Sequence, residues 1–239
     1  MVEIHAVPAF KDNYIWVLAD GGRAAVVDPG ESAPVERFLE QNGLELTAIL
    51  ATHHHGDHVG GVPALFARWK CPVFGPARET IPDIEHRLVE GDRITVPGLG
   101  LALSVLDIPA HTAGHIAYYL DSEATAFVGD TLFAMGCGRL FEGTAEQMHS
   151  NLQRLSRLPP DTLVYCAHEY TLSNGRFALT VEPDNAALVE RMAGVEAARA
   201  ADEPTVPTTI ALERATNPFM RAASAEEFAA RRAAKDAFR

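Results

Sequence analysis

Cysteine is scarce in this chain: among 239 residues there are three, Cys71, Cys137 and Cys166, set far apart and forming no Cys-x-x-Cys pair. An odd and scattered set makes no disulfide framework and suits thiols kept reduced in a cytosol. Long apolar runs are missing too, since no stretch reaches the ~18 uncharged residues that a membrane-spanning helix needs. The opening Met1-Val2-Glu3-Ile4-His5 lacks the basic segment and apolar run of a secretory leader. The expectation is a soluble, cytoplasmic protein. Basic charge is also short: 20 Lys and Arg against 32 Asp and Glu leave a net charge of −12. Phosphate backbones are held by a basic field, so neither nucleic acid nor a membrane is an expected partner. The balance reverses only near the end, where Arg231, Arg232, Lys235 and Arg239 fall within nine residues and could meet a small anion.

A chain of this length sustains one large domain, or one domain with an appendage. Strand-like alternation runs from Tyr14 to Leu18 and from Ala24 to Val27, followed by the turn residues Asp28-Pro29-Gly30. A helix is expected next, with Ser32 as its cap, Pro34 in its first turn, Val35, Phe38 and Leu39 on one side, and Gly43 just past its end. Four later apolar runs lead into residues of metal-ligand type. Leu46 to Thr52 enters His53-His54-His55-Gly56-Asp57-His58, Leu103 to Ile108 leads to His111, Ala124 to Val128 to Asp130, and Thr162 to Tyr165 to His168. From about Glu182 the sequence turns alanine-rich, with helices expected over 186–201, 209–215 and 225–238, broken by Pro204, Pro207 and Pro218. No repeat or flexible linker separates this helical appendage, so it should pack on what precedes it.

On an extended segment alternate side chains share a face, so His53, His55 and Asp57 converge and His54 points away. A bend at Gly56-Asp57 then turns His58 toward a second position. A borderline divalent ion takes about four nitrogen, oxygen or sulfur ligands, and a catalytic site leaves one position for water. Adding His111, Asp130 and His168 yields His53, His55 and His111 for one ion and Asp57, His58 and His168 for another, with Asp130 bridging. Two ions ~3.5–4 Å apart acidify a bridging water and polarise the carbonyl of an ester or thioester, which makes a bridging hydroxide the expected nucleophile. Asp57 and Asp130, which hold and bridge the ions, are the expected catalytic carboxylates. Such nitrogen and oxygen ligands accept zinc, iron or manganese, zinc being the first expectation. Cys137 and Cys166 have no neighbouring base and read as small buried apolar residues. His54 and His115 are out of phase and read as support for a ligand or as packing. His5, His86 and His149 read as surface residues.

These residues resemble the metallo-β-lactamase superfamily over about residues 1–170, which implies an α+β fold, an αββα sandwich with its metal site at one edge of the two sheets. Within it, Thr52 to His58, Pro109-Ala110-His111-Thr112-Ala113-Gly114-His115, Gly129-Asp130-Thr131-Leu132-Phe133 and Cys166-Ala167-His168-Glu169-Tyr170-Thr171 resemble the glyoxalase II (hydroxyacylglutathione hydrolase) family. Asn217-Pro218-Phe219-Met220-Arg221 and Arg232-Ala233-Ala234-Lys235-Asp236 are similar to segments of that family's C-terminal helical domain. The resemblance implies a catalytic domain over 1–168 and a small helical substrate-binding domain over 169–239. It implies hydrolysis of S-(2-hydroxyacyl)glutathione, S-D-lactoylglutathione above all, to glutathione and a 2-hydroxy acid such as D-lactate, a step of methylglyoxal detoxification. Arg232 and Lys235 would hold a glutathione carboxylate, with Arg139 and Tyr170 lining the pocket; three basic groups complement a dianionic tripeptide. Two departures stand out: Phe141 replaces a tyrosine of some members, and Ala233-Ala234 replaces a more charged pair.

Three other enzymes of similar fold fit less well. A persulfide dioxygenase holds one iron on two histidines and an aspartate, leaving Asp57, His58 and His168 without a full role. Zinc β-lactamases commonly place cysteine where Asp130 stands, and oxygen-reducing di-iron proteins carry a flavin domain for which there is no room. A non-catalytic metal-binding module would not need the open ligand position that hydrolysis requires.

Overall fold

The structure is a computed structural model that describes residues 2–238; Met1 and Arg239, the latter part of the expected basic cluster, lie outside the described residues. Two six-stranded sheets make the body. In the first, β1 (Glu3–Ala9), β2 (Asn13–Asp20), β3 (Arg23–Val27), β4 (Glu45–Leu50), β5 (Val73–Pro76) and β6 (His86–Leu88) lie side by side in chain order, antiparallel to β3 and parallel from there on. The remaining strands are β7 (Arg93–Thr95), β8 (Ala102–Asp107), β9 (Ile116–Leu120), β10 (Thr125–Gly129), the small hairpin β11 (Leu132–Phe133) and β12 (Gly136–Cys137), then β13 (Leu163–Cys166) and β14 (Thr208–Thr209). The second sheet runs β14-β13-β10-β9-β8-β7.

Period-two alternation decides which side chains meet. From β2, Trp16 and Leu18 enter the space between the sheets, where Leu103, Val105, Tyr118, Phe127 and Val164 of the second sheet pack against them. Ile15 and Val17 point the other way, under Val35 and Leu39 of α1 (Ser32–Asn42) and, past the one-turn α2 (Gly56–Val59), Val62 and Leu65 of α3 (Val62–Trp69). A strand covered on both faces has no polar side to show, which is why β2 reads as an unbroken apolar run. Met148, Leu152 and Leu155 of α4 (Ala145–Leu155) join the central core from the opposite side and complete the αββα order.

The helical part comprises α5 (Thr171–Val181), α6 (Ala186–Ala200), α7 (Ile210–Thr216) and α8 (Ala225–Ala237). It begins with α5, before residue 182, and it is less separate than an appendage: β14 pairs with β13, and Phe177, Ile210, Phe219 and Phe228 belong to the sandwich core. A second difference concerns α1, whose cap position is Glu31 rather than Ser32, with no side-chain cap bond. The Glu31 carboxyl is taken by the Phe10 amide at 2.7 Å. The helix ends at Gly43 as the sequence suggests. Among the described residues, no helix is long and apolar enough to cross a membrane.

Candidate metal centre and adjoining cleft

The ends of β4, β10 and β13 and the loop after β8 converge at one edge of the sandwich. His53 and His55 follow the end of β4 across a bend at Thr52 and His53, not on a straight extended segment, and Asp57 does not continue it. Gly56 opens the single turn of α2, closed by bonds from the His58 and Val59 amides to the His55 carbonyl (2.9 and 3.2 Å), so Asp57 and His58 leave in helical directions. The turn separates the motif into two halves. His53, His55 and His111 form one triad and Asp57, His58 and His168 another, each with donor atoms within 4.8 Å of one another. His55 Nδ1 lies 3.2 Å from His53 Nε2 and 3.0 Å from His111 Nε2. Asp57 Oδ2 lies 3.5 Å from His58 Nε2 and 3.4 Å from His168 Nε2. Asp130 sits between the triads, its Oδ2 3.4 Å from both His111 Nε2 and His168 Nε2. Gly129 makes that placement possible: at φ 49°, its Cβ would fall 2.4 Å from Thr52 Oγ1.

Groups absent from the sequence-based expectation orient these rings. His168 Nδ1 donates to Asp12 Oδ1 (2.9 Å), His58 Nδ1 to Asp28 Oδ2 (3.1 Å) and His111 Nδ1 to the Arg139 carbonyl (2.9 Å). Thr52 Oγ1 donates to Asp28 Oδ2 at 2.7 Å, so it accepts from His53 Nδ1 at 3.0 Å. Each of these four rings therefore turns Nε2 into the shared space, the arrangement by which outer partners aim metal-binding imidazoles. Asp28 also lies near His53 and His58, but its oxygens are taken by Thr52 and His58. Its Asp-Pro-Gly setting reads as a turn in the sequence; its role comes from the pairing of β3, which it follows, with β4, which leads into the histidine motif. Asn13 Nδ2 steadies Asp57 Oδ2 at 3.1 Å.

The donor set fits divalent cations on its own geometry. His58 Nε2 and Asp130 Oδ1 are buried 3.5 Å apart and neither makes a hydrogen bond, an arrangement costly to leave unsatisfied. Burial holds the pKa values of His53, His55 and His111 below the ordinary histidine value, leaving neutral imidazoles. Burial acts the same way on His58 and His168, but the carboxyls around them win: Asp130 and Asp28 raise His58 well above the usual range, and Asp130 and Asp57 raise His168 to about 10. Burial opposes ionisation of Asp57 and Asp130, and the same histidines outweigh it and hold both below the usual carboxylate range. A cation entering the second triad would take the place of protons.

His54 and His115 lie outside both triads. His115 stacks on His53 with centroids 4.5 Å apart and accepts the Asp130 amide at 3.2 Å. His5, His86 and His149 lie outside the cluster: His86 is exposed, while His5 and His149 are partly buried. The buried Cys137 and Cys166 thiols are pushed up to about 11 and about 12, first by burial.

A cleft of about 510 Å³ opens from His111 and Asp130 and is walled by Arg139, Tyr170, Arg232 and Lys235. Tyr170 stacks flat on His168, centroids 4.6 Å apart, and burial, then Asp12 and Asp130, keep it a phenol by raising its pKa. Arg232 is no solvated helix residue: it is 7% exposed, donates to the Cys137 carbonyl and Asp236 Oδ1 at 2.8 Å each, and lies over the Phe219 ring. Lys235 Nζ donates to the carbonyl and hydroxyl of Ser173 at 3.0 Å, and burial, then Arg232 and Arg139, lower its pKa to about 8. Arg139 is largely exposed, and exposed Phe141 faces the His55 and His111 rings at 5.5 and 5.2 Å.

Residues 10–168 match the family model described as the metallo-beta-lactamase superfamily, and with this sandwich and this cluster at its edge the chain belongs to that superfamily. Residues 169–238 match the model for the hydroxyacylglutathione hydrolase C-terminus. Hydroxyacylglutathione hydrolase from Cupriavidus taiwanensis is 59% identical over 231 residues, 92% of this chain and 87% of that protein. The enzyme of the same name from Alkalilimnicola ehrlichii is 58% identical over 93% of this chain and 87% of its own. The chain is thus a member of the hydroxyacylglutathione hydrolase family. Among solved structures, ETHE1 from Myxococcus xanthus superposes with a TM-score of 0.72 at 27% identity, over 95% of this chain and 88% of that one. TTHA1623 in a di-iron-bound form superposes with a TM-score of 0.65 at 27% identity, over 90% of this chain and 99% of that one.

Proposed function

We propose that this protein is a cytoplasmic thioesterase that hydrolyses S-(2-hydroxyacyl)glutathione, with S-D-lactoylglutathione as its main substrate, to glutathione and a 2-hydroxy acid. The observation that carries this reading is the single cleft that joins His111 and Asp130 to the basic wall of Arg139, Arg232 and Lys235. A thioester carbonyl at the cluster then leaves the tripeptide's carboxylates among those cations. His53, His55 and His111 would hold one divalent ion and Asp57, His58 and His168 a second, with Asp130 shared; zinc is the first choice, and iron or manganese suit the same donors. Such ions, when bound, supply an acidified water and a Lewis acid for the thioester carbonyl. The di-iron-bound neighbour supports a pair over a single ion.

The chain's own groups do the rest. Asp57, whose side chain is 42% exposed and whose pKa is held low, can accept a hydrogen bond from an incoming water. Tyr170 offers a phenol where cluster and cleft meet. Lys235 carries its charge at neutral pH and holds a carboxylate, Arg139 adds an exposed cation, and Arg232 keeps the wall in place through Cys137 and Asp236. The division of labour falls between 1–168, which carries the cluster, and 169–239, which supplies Tyr170, Arg232 and Lys235. A one-iron dioxygenase would leave the triad of Asp57, His58 and His168 without a role.

The test is thiol release from S-D-lactoylglutathione by purified protein, with and without chelator, beside oxygen uptake on glutathione persulfide. Rapid, chelator-sensitive thiol release without oxygen uptake is expected. Oxygen uptake without thioester cleavage would transfer the assignment to the dioxygenase.

A further inference from the structure

Glu79 lies in the turn after β5, outside the proposed ligand set, and is buried at 6% exposure. Its Oε1 accepts from Thr112 Oγ1 and from the Gly114 amide (2.9 Å), both in the loop that carries His111. Its Oε2 faces His54 Nδ1 at 3.0 Å, in the segment that carries His53 and His55. The other nitrogen of His54 lies 3.4 Å from Glu142 Oε1, and Glu142 Oε2 accepts the Ala113 amide at 2.8 Å. His54 is thereby tied to the His111 loop on both sides. The contact leaves no room for a side chain at Gly114, whose Cβ would fall 2.6 Å from Glu79 Cγ.

This arrangement answers a gap in the first triad. His53, His58, His111 and His168 each have Nδ1 engaged by an outer partner. His55 instead turns Nδ1 toward the cluster, and among the described residues no hydrogen bond reaches its Nε2. With no outer hydrogen-bond partner of its own, the ring depends on its packing against Phe141 and on where the 53–55 backbone places it. Resting on the metal-ligand reading above, we infer that Glu79, acting through His54, is a positioning residue for the first triad. It sets the spacing between the 53–55 segment and the His111 loop, and so the fit of an ion to His53, His55 and His111. It makes no bond to Asp57, His58 or His168, so its influence falls on one position of the two.

The experiment uses full-length wild type, Glu79→Ala, Glu79→Gln and His54→Ala, stripped of metal, reloaded with zinc and equilibrated against graded zinc buffers. Bound zinc per chain is read by elemental analysis, and thermal unfolding of the stripped forms is followed in parallel. Wild type should bind two ions. Glu79→Ala and His54→Ala should keep one tight ion and bind the other about 10–100-fold more weakly, the usual cost of losing an outer partner. Glu79→Gln retains an acceptor for Thr112 and Gly114 and should bind nearer to wild type. His54→Ala leaves the Glu79 bonds to Thr112 and Gly114 intact, so it decides the matter if Glu79→Ala unfolds. Two tight ions in His54→Ala, or equal weakening at both positions, would overturn the positioning role. Fewer than two ions in wild type would instead overturn the two-ion reading on which it rests.

Discussion

The cluster and the cleft share one opening but are built in opposite ways. The seven cluster residues come from strand ends and short turns of the sandwich, five of them are buried, and outer partners fix the rings of His53, His58, His111 and His168. The basic wall comes from the loop after β12 and from α8, whose Arg232 and Lys235 lie more than ninety residues beyond Arg139, and its charges range from buried Arg232 to exposed Arg139. A largely desolvated cluster with its rings held in place suits chemistry, where small displacements are costly. A partly solvated wall suits recognition of a charged substrate remote from the reacting bond. Damage to the first region should therefore appear in kcat and metal content, and damage to the second in KM.

The largest effect is expected from Asp130→Ala, which removes the carboxyl between the triads. Turnover should fall by more than the ~10–100-fold that an outer partner costs, with loss of bound metal seen by elemental analysis. Retention of metal and turnover would break the distinction at its stronger end. Lys235→Ala comes next. A charge-assisted hydrogen bond contributes roughly 1.5–3 kcal/mol, so KM for the glutathione thioester should rise about 10-fold or more while kcat and metal content hold. A fall in kcat alone would place Lys235 with the cluster. The smallest effect is one of pH. Lys235, with its pKa lowered to about 8, binds an anion while protonated, so binding is strongest below that value and weakens above it. Steady-state kinetics should show KM rising roughly fourfold from pH 7 to 8.5, and this rise should be absent in Lys235→Ala.

The same contrast explains what the sequence made legible. Residues of metal-ligand type stand at the ends of apolar runs, and strand ends of a sandwich converge, so His53, His55, His58, His111, Asp130 and His168 could be grouped from the sequence, and the structure brings them together. Asp57 does lie beside them, but the turn at Gly56 and not strand alternation aims it. The outer partners were illegible because nothing local marks them: Asp12, Asp28 and Glu79 act across 156, 30 and 33 positions of chain. Helix α5 escaped because polar and small residues dilute its apolar stripe, whereas α4 carried legible signals that went unused: the Thr144-x-x-Gln147 capping box and the stripe of Met148, Leu152 and Leu155. Arg232 and Lys235 were placed by family resemblance alone. Helical spacing would have left them in solvent, and tertiary packing against Phe219, Phe177 and Phe238 brings them into the cleft.

The most direct test of a cluster that cleaves and a cleft that holds is one comparison of kcat/KM. Wild-type, metal-loaded protein would be given S-D-lactoylglutathione and a D-lactoyl thioester of a short, uncharged thiol. A strong preference for the glutathione thioester, largely abolished in Lys235→Ala, is the expected result. Equal rates on the two thioesters would contradict it, leaving a metal thioesterase whose basic cleft has no part in choosing its substrate.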